Sequence, residues 1–142
     1  MSFINTIVLK VAAPCNLSCT YCYEYQDDEW KKMPKFISDE IIKNLANQIN
    51  IYCKKNKLKT FSINCHGGEP MLLGSDGLEN LFSSLRNNIS KTIKLNIGMQ
   101  TNAVLATREI SKVLKKYKVS IGISIDGNAN GNEFRVDHSG KS

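Results

Sequence analysis

Cys15, Cys19 and Cys22 follow one another as C-x3-C-x2-C within Pro14-Cys15-Asn16-Leu17-Ser18-Cys19-Thr20-Tyr21-Cys22-Tyr23, directly after the apolar run Ile7 to Ala13. Three thiolates on one short loop can hold three irons of a cubic [4Fe-4S] cluster, whereas a self-contained cluster takes four cysteines. The fourth iron is then open. An open metal position beside a cavity is a reactive site rather than an electron relay, just as the open position of zinc separates catalytic from structural sites. Two other chemistries could use the same residues. Cys19 and Cys22 have the spacing of a redox dithiol, and the three cysteines with His66 could form a Cys3His zinc site. The dithiol leaves Cys15 without a task, and zinc leaves the glycines and the acid of His66-Gly67-Gly68-Glu69-Pro70 unexplained.

The cysteine spacing, with aromatic Tyr23 after the last cysteine, resembles the signature of the radical S-adenosylmethionine (SAM) superfamily. His66-Gly67-Gly68-Glu69-Pro70 is similar to that family's GGEP segment, and Ser124-Ile125-Asp126-Gly127 resembles a later family element. The resemblance implies that Cys15, Cys19 and Cys22 ligate a [4Fe-4S] cluster. It implies too that SAM chelates the open iron, and that an electron from the cluster cleaves the sulfonium to a 5'-deoxyadenosyl radical. By the same resemblance the backbone and carboxylate of Gly67, Gly68 and Glu69 take the methionine ammonium, Tyr23 lies near the adenine and Ser124 contacts the ribose. Glu69 has suitable chemistry, because an anion beside a buried ammonium offsets its desolvation.

Together these motifs look most like the branch that contains anaerobic sulfatase maturases and peptide maturases. That implies a peptide or protein substrate and a reductant such as flavodoxin or ferredoxin. Enzymes of that branch carry a cysteine-rich C-terminal SPASM domain, and no cysteine follows Cys65 here. The expectation is therefore one domain over 1–142, the front portion of a radical SAM core without the auxiliary-cluster domain.

With 142 residues and 42% hydrophobic content the chain is long enough to bury a core, and no second domain fits. No stretch approaches the roughly 20 apolar residues of a membrane helix, and no basic region precedes an apolar one at the N-terminus. Five cysteines, clustered rather than spread as a disulfide framework, suit a reducing interior, so a cytoplasmic location with no membrane partner is expected. The net charge of +6 raises the question of nucleic acid. The lysines are dispersed, however, and the dense group Lys54 to Lys59 falls at a helix end where cations complement the dipole, so no nucleic-acid partner is expected.

Several elements must position these residues. Phe3 to Ala12 has the apolar continuity of a strand covered on both faces. The cysteine loop runs from Ala13 to about Tyr25, and Gln26 to Phe36 is an irregular connection in which Trp30 packs. Ser38 caps a helix whose inner face carries Ile41, Ile42, Leu45, Ile49, Tyr52 and Cys53. Thr60 to Cys65 is a second strand, followed by a helix capped near Ser75 with Leu78, Leu81, Phe82 and Leu85 inside. Ile93 to Thr101 is a third, Thr107 caps a third helix bearing Ile110, Val113, Leu114 and Tyr117, and Val119 to Ile125 is a fourth strand. Everything from Gly127 onward is loop.

Strand–helix alternation at these intervals means right-handed crossovers and a parallel sheet. Alternation alone does not separate a doubly wound sheet from part of a barrel, but side-chain parity does. Even positions of the later strands read Ser62, Asn64, His66, then Asn96, Gly98, Gln100, then Ser120, Gly122, Ser124. Odd positions are apolar: Phe61, Ile63, Cys65, then Leu95, Ile97, Met99, then Val119, Ile121, Ile123. Helices take the apolar face, which leaves a polar lumen on the other, as in an α/β partial parallel barrel of about four βα units. The resemblance implies six units in the complete core.

Parallel barrels work at the carboxyl ends of their strands, where the cysteine loop, Gly67 to Pro70, Gln100 to Asn102 and Ser124 to Gly127 all fall. Gly67 and Gly68 suit a backbone that approaches a ligand closely. Gln100 and Asn102 are SAM or substrate contacts or simple wall residues, and His66 is a structural hydrogen-bonder or a cluster neighbour. Cys65 has the wrong parity for a ligand, and Cys53 is a small buried hydrophobe. The fourth strand has an open edge that invites self-association.

Overall fold

The computed structural model describes residues 3–142. Four parallel strands, β1 (Thr6–Ala12), β2 (Thr60–Gly67), β3 (Lys94–Thr101) and β4 (Ser120–Ile123), lie side by side in sequence order. A doubly wound sheet reverses its order at a switch point. This one does not, and it wraps in a single direction as a barrel wall does.

Three helices, α1 (Asp39–Asn56), α2 (Gly74–Asn88) and α3 (Arg108–Lys116), supply the crossovers. Ser38 accepts the N–H of Ile41 and Thr107 that of Ile110, so both anticipated caps form. Lys57 ends α1 in the left-handed region, and Lys54 and Lys55 lie in its last turn. α2 starts differently. Ser75 lies inside its first turn, because a 3-10 turn over Pro70–Leu73 runs straight into the helix and Glu69 caps that turn by accepting the N–H of Met71.

The odd-numbered side chains of β2 and β3, Phe61, Ile63, Cys65, Leu95, Ile97 and Met99, are buried against Ile42, Ala46, Ile49, Cys53, Leu78, Leu81, Phe82, Leu85 and Ile110. The parity expected for these strands is what the packing shows. Burying an aliphatic side chain of this size contributes about 2 kcal/mol, so this face supplies most of the fold's driving force. No helix among the described residues is long and apolar enough to cross a membrane.

Further expectations change, among them the fourth strand, which runs Ser120–Ile123 rather than Val119 to Ile125. β1 begins at Thr6 rather than Phe3, and it is not covered on both faces, since Val8 on the lumen side is 65% exposed. Ile121 and Ile123, anticipated against helices, are also exposed, because no described helix crosses the outer face of β4. Ile41 points outward from α1, where Ile42 takes the inner position. On the lumen side the polar groups satisfy one another across strands: Asn96 Nδ2 donates to Ser62 Oγ and Gln100 Nε2 to Ser124 Oγ at 2.8 Å. Gly122 leaves room for the second of these, since a Cβ there would sit 2.2 Å from Gln100 Oε1; Gly98 leaves room in the same way for Asn64, whose Oδ1 a Cβ would approach to 2.0 Å.

Candidate functional site

Three strand ends hold the cysteine loop. The N–H of Gly68 donates to Ala12 O at 2.8 Å and that of Glu69 to Pro14 O at 2.9 Å, stitching the segment after β2 to the start of the loop. Gly67 adopts φ +128°, and a Cβ there would meet Ala12 O at 2.1 Å. A Cβ on Gly68 would meet Pro14 O at 2.1 Å and Tyr25 Oη at 2.3 Å. A close approach that demands glycine is thus made to the chain's own loop.

Glu69 is 1% exposed. Its Oε1 accepts from Met71 N at 2.9 Å and Thr101 Oγ1 at 2.6 Å, and its Oε2 accepts from Asn102 N at 2.8 Å. A carboxylate with three protein donors and almost no accessible surface is spent on tying the end of β3 to the turn after β2. The expected contact between this carboxylate and an ammonium would come in addition to these three donors. Asn102, oriented by Glu69, passes the constraint on: its Nδ2 donates to Asn16 Oδ1 at 2.9 Å and lies 3.7 Å from Cys15 Sγ.

Cys15, Cys19 and Cys22 are all half-buried free thiols. Cys15 Sγ also accepts the N–H of Leu17 at 3.4 Å. Burial pushes the Cys15 thiol up against the pull of that N–H, and the nearby charges of Glu69, Cys19 and Cys22 add to the rise. Burial raises Cys19 likewise, opposed by the Arg135 guanidinium. The sulfurs therefore share one electrostatic neighbourhood. Yet among the described residues no three Cys, His, Asp or Glu groups are gathered closely enough for a single ion. A cluster binds each sulfur to a different iron, so its ligands need not converge on one ion as those of a Cys3His zinc must. Donors to sulfur from Leu17 and Asn102 suit ligating thiolates.

Cys65, at 0% exposure with its thiol pushed up to about 12 by burial, and Cys53, at 1%, belong to the core. His66 is half-buried on the lumen face, in register with Lys10. Tyr23 is 69% exposed beside the Lys10–Glu24 ion pair of 2.6 Å and lines a cavity of about 540 Å³ together with Trp30, Met33 and Phe36. Trp30 packs edge-on against Tyr25, ring centroids 4.9 Å apart, and Tyr25 Oη donates to Ala13 O. Asn102 and Ser124 line a different cavity, of about 570 Å³, with Leu17, Asn132 and Arg135. Cys15, Glu69 and Asn102 are thus brought together, Gln100 and Ser124 pair with each other, and Tyr23 stands apart from them.

Sequence reasoning missed the segment after Gly127. It is irregular, as expected, but it lies on the cysteine loop. The N–H groups of Ser18 and Thr20 donate to Val136 O and Phe134 O, Arg135 grips Asp126 with two hydrogen bonds, and Tyr21 Oη donates to the same carboxylate. Opposite charges at Asp126 and Arg135, bounding a Gly- and Asn-rich turn, were the signal that could have found it.

A sequentially ordered parallel sheet thus carries a three-cysteine loop, a Gly-Gly-Glu turn and an amide-bearing strand end on one rim. Residues 10–137 match the model of the Radical SAM superfamily. The chain belongs to that superfamily, whose characteristic cofactors are a [4Fe-4S] cluster and SAM. It is 29% identical over 130 residues to a cysteine-type anaerobic sulfatase-maturating enzyme of Clostridium perfringens, covering 87% of this chain and 33% of the relative. It is 30% identical over 144 residues to the radical SAM cyclopropyl synthase TigE of Paramaledivibacter caminithermalis, covering 96% of this chain and 30% of the relative. Among solved structures, native anSMEcpe with bound AdoMet superposes with a TM-score of 0.79 at 26% identity, over 96% of this chain and 37% of that one. Native anSMEcpe with bound AdoMet and the Cp18Cys peptide gives 0.78 at 25% identity, over 96% and 36%. The chain spans about a third of the length of the curated relatives it matches.

Proposed function

We propose that this chain binds a [4Fe-4S] cluster and SAM as the front part of a radical SAM core that modifies a peptide or protein. The observation that carries the reading is the clamping of the Cys15 to Cys22 loop onto the ends of β1, β2 and β3 through Ala12, Pro14, Asn16 and Asn102. When bound, the cluster and SAM would supply the reducing electron and the radical chemistry for hydrogen abstraction, with Cys15, Cys19 and Cys22 holding the cluster.

The chain's own residues orient and enclose. Cys15, Cys19 and Cys22 are the cluster ligands. Backbone at Gly67 and Gly68 lies toward the methionine end of SAM, with Glu69 holding that backbone and Asn102 in place. Gln100, Asn102 and Ser124 supply amide and hydroxyl contacts, and Tyr23 supplies an aromatic face toward the adenine. A peptide substrate and a flavodoxin- or ferredoxin-type reductant complete the reading, supported by the peptide in the anSMEcpe complex.

Anaerobic reconstitution with iron and sulfide, read by visible absorption and iron per chain, tests this. Wild type, Cys53→Ala and Cys65→Ala should assemble a cluster, and Cys15→Ala, Cys19→Ala and Cys22→Ala should not. Addition of SAM should alter the electron paramagnetic resonance spectrum of the reduced protein. A colourless wild-type protein with stoichiometric zinc would overturn the proposal.

A further inference from the structure

The three cysteines are held by three different devices, and one of these lies wholly in the segment beyond β4. Cys15 is fixed by Leu17 N–H and Asn102 Nδ2 at its sulfur. Cys22 opens a 3-10 turn, with its own N–H on Cys19 O and Tyr25 N–H on Cys22 O. Cys19 shares that turn only through its carbonyl, and among the described hydrogen bonds no other residue donates to its sulfur. The peptides on either side of it are instead pinned from across the chain, Ser18 N–H to Val136 O at 2.7 Å and Thr20 N–H to Phe134 O at 3.1 Å. Leu17 and Asp137 form an isolated antiparallel bridge, so the loop and residues 134–137 pair as a short two-stranded patch.

Arg135 sits between the two accepting carbonyls, and its side chain sets where they lie. Its Nε donates to Asp126 Oδ2 at 2.7 Å and its Nη2 to Asp126 Oδ1 at 3.1 Å, a bidentate fork that fixes both position and plane. Tyr21 Oη donates to the same carboxylate, and the guanidinium lies 5.8 Å from the Tyr21 ring centre. Asn132 shapes the intervening turn by accepting the N–H of Asp126 and donating to Asn128 O. The arginine side chain is 18% exposed and its Asp126 partner 36%, so the pair is shielded on the arginine side and open to water on the other. Both ends of the clamp are therefore tied to the loop: Asp126 through Tyr21, and Arg135 through its flanking carbonyls.

We infer that Arg135 is a positioning residue for the cluster: with Asp126 and Tyr21 it straps residues 126–137 over the cysteine loop and holds the backbone on which Cys19 is presented. Arg135 touches no cysteine sulfur and is not itself a ligand. The inference rests on the proposed cluster site for its purpose, but the strap exists in the metal-free chain and can be tested there.

The experiment uses Arg135→Met, which keeps the apolar stem and loses the fork, with Arg135→Lys, Asp126→Asn and Tyr21→Phe beside it. In metal-free protein, site-resolved iodoacetamide labelling followed by mass spectrometry, with each rate taken per thiolate from its pH dependence because losing the guanidinium also raises the Cys19 thiol, should show Cys19 reacting about tenfold faster in Arg135→Met, the factor that one or two lost net backbone hydrogen bonds correspond to. Cys53 and Cys65 should stay protected, which reports that the core is folded. After reconstitution, iron release to a chelator should be faster in the same order, with Arg135→Lys intermediate because a point charge cannot reproduce the fork. Cys19 labelling and chelator release within about twofold of wild type in a folded Arg135→Met, a difference too small for even one lost net hydrogen bond, would overturn the inference. Should Arg135→Met expose Cys53, Tyr21→Phe and Asp126→Asn carry the same decision. A wild type that assembles no cluster sinks the proposed function alone, because the Cys19 labelling comparison is still decided in metal-free protein.

Discussion

Replacing Glu69 with Gln probes the joint on which the site hangs. The carboxylate receives Met71 N–H and Thr101 Oγ1–H on one oxygen and Asn102 N–H on the other, at 2.9, 2.6 and 2.8 Å. An amide can keep its oxygen toward Met71 and Thr101. Those two bonds fall from charge-assisted to ordinary, a loss of about 1 kcal/mol each. Its NH2 group must then face the N–H of Asn102, donor against donor, in a place that is 1% exposed. Leaving such a group unsatisfied costs about 1 to 3 kcal/mol. The total is about 4 kcal/mol, which for a chain of this length is a fall in melting temperature of about 10 °C. Thermal unfolding of the metal-free protein by circular dichroism measures it, and iron per chain after reconstitution should fall too, because Asn102 no longer holds Asn16 and Cys15 in place. Thr101→Val shares the same acceptor, so the double variant should lose about 1 kcal/mol less than the sum of the singles. A Glu69→Gln protein melting within about 2 °C of wild type, a shift worth less than one hydrogen bond, would refute the idea that this carboxylate is spent on the fold.

Gly68→Ala should abolish cluster assembly, since its Cβ would lie 2.1 Å from Pro14 O and the loop must shift to admit it; normal iron content in that variant would refute the packing account. In the folded metal-free protein, Cys65 and Cys53 should resist alkylation while the three loop cysteines react, because burial both shields the core thiols and pushes them up, Cys65 to about 12; comparable labelling of Cys65 would contradict its place in the core. Hydrogen bonds from Lys116 Nζ and Tyr117 Oη hold the Glu79 carboxyl below its usual range. A group depressed in the folded state contributes stability above its unfolded value and loses it as pH falls through the lower folded one, so this α2–α3 tie should weaken only in acid. Lys116→Met should move the Glu79 titration upward by carboxyl NMR, and an unchanged midpoint would refute the pairing.

Local chemistry was enough to read the clustering of three cysteines on one loop, the caps at Ser38 and Thr107, and the alternation in β2 and β3. A cysteine-bearing loop, a capped helix and a period-two strand each depend on residues a few positions apart. The partners of Glu69 and the atoms packed against Gly67 and Gly68 were not legible in the same way. The partners of Glu69 include Thr101 and Asn102, more than thirty residues on, and the atoms that forbid a Cβ on Gly68 belong to Pro14 and Tyr25. Nor could composition alone say that Ile121 and Ile123 lie uncovered, since exposure depends on whether another element crosses them. The segment after Gly127 shows the division most plainly: its glycines and asparagines determined that it would be irregular, whereas its course over the cysteine loop was decided by the fork between Arg135 and Asp126 and by main-chain carbonyls that bear no sequence mark at all.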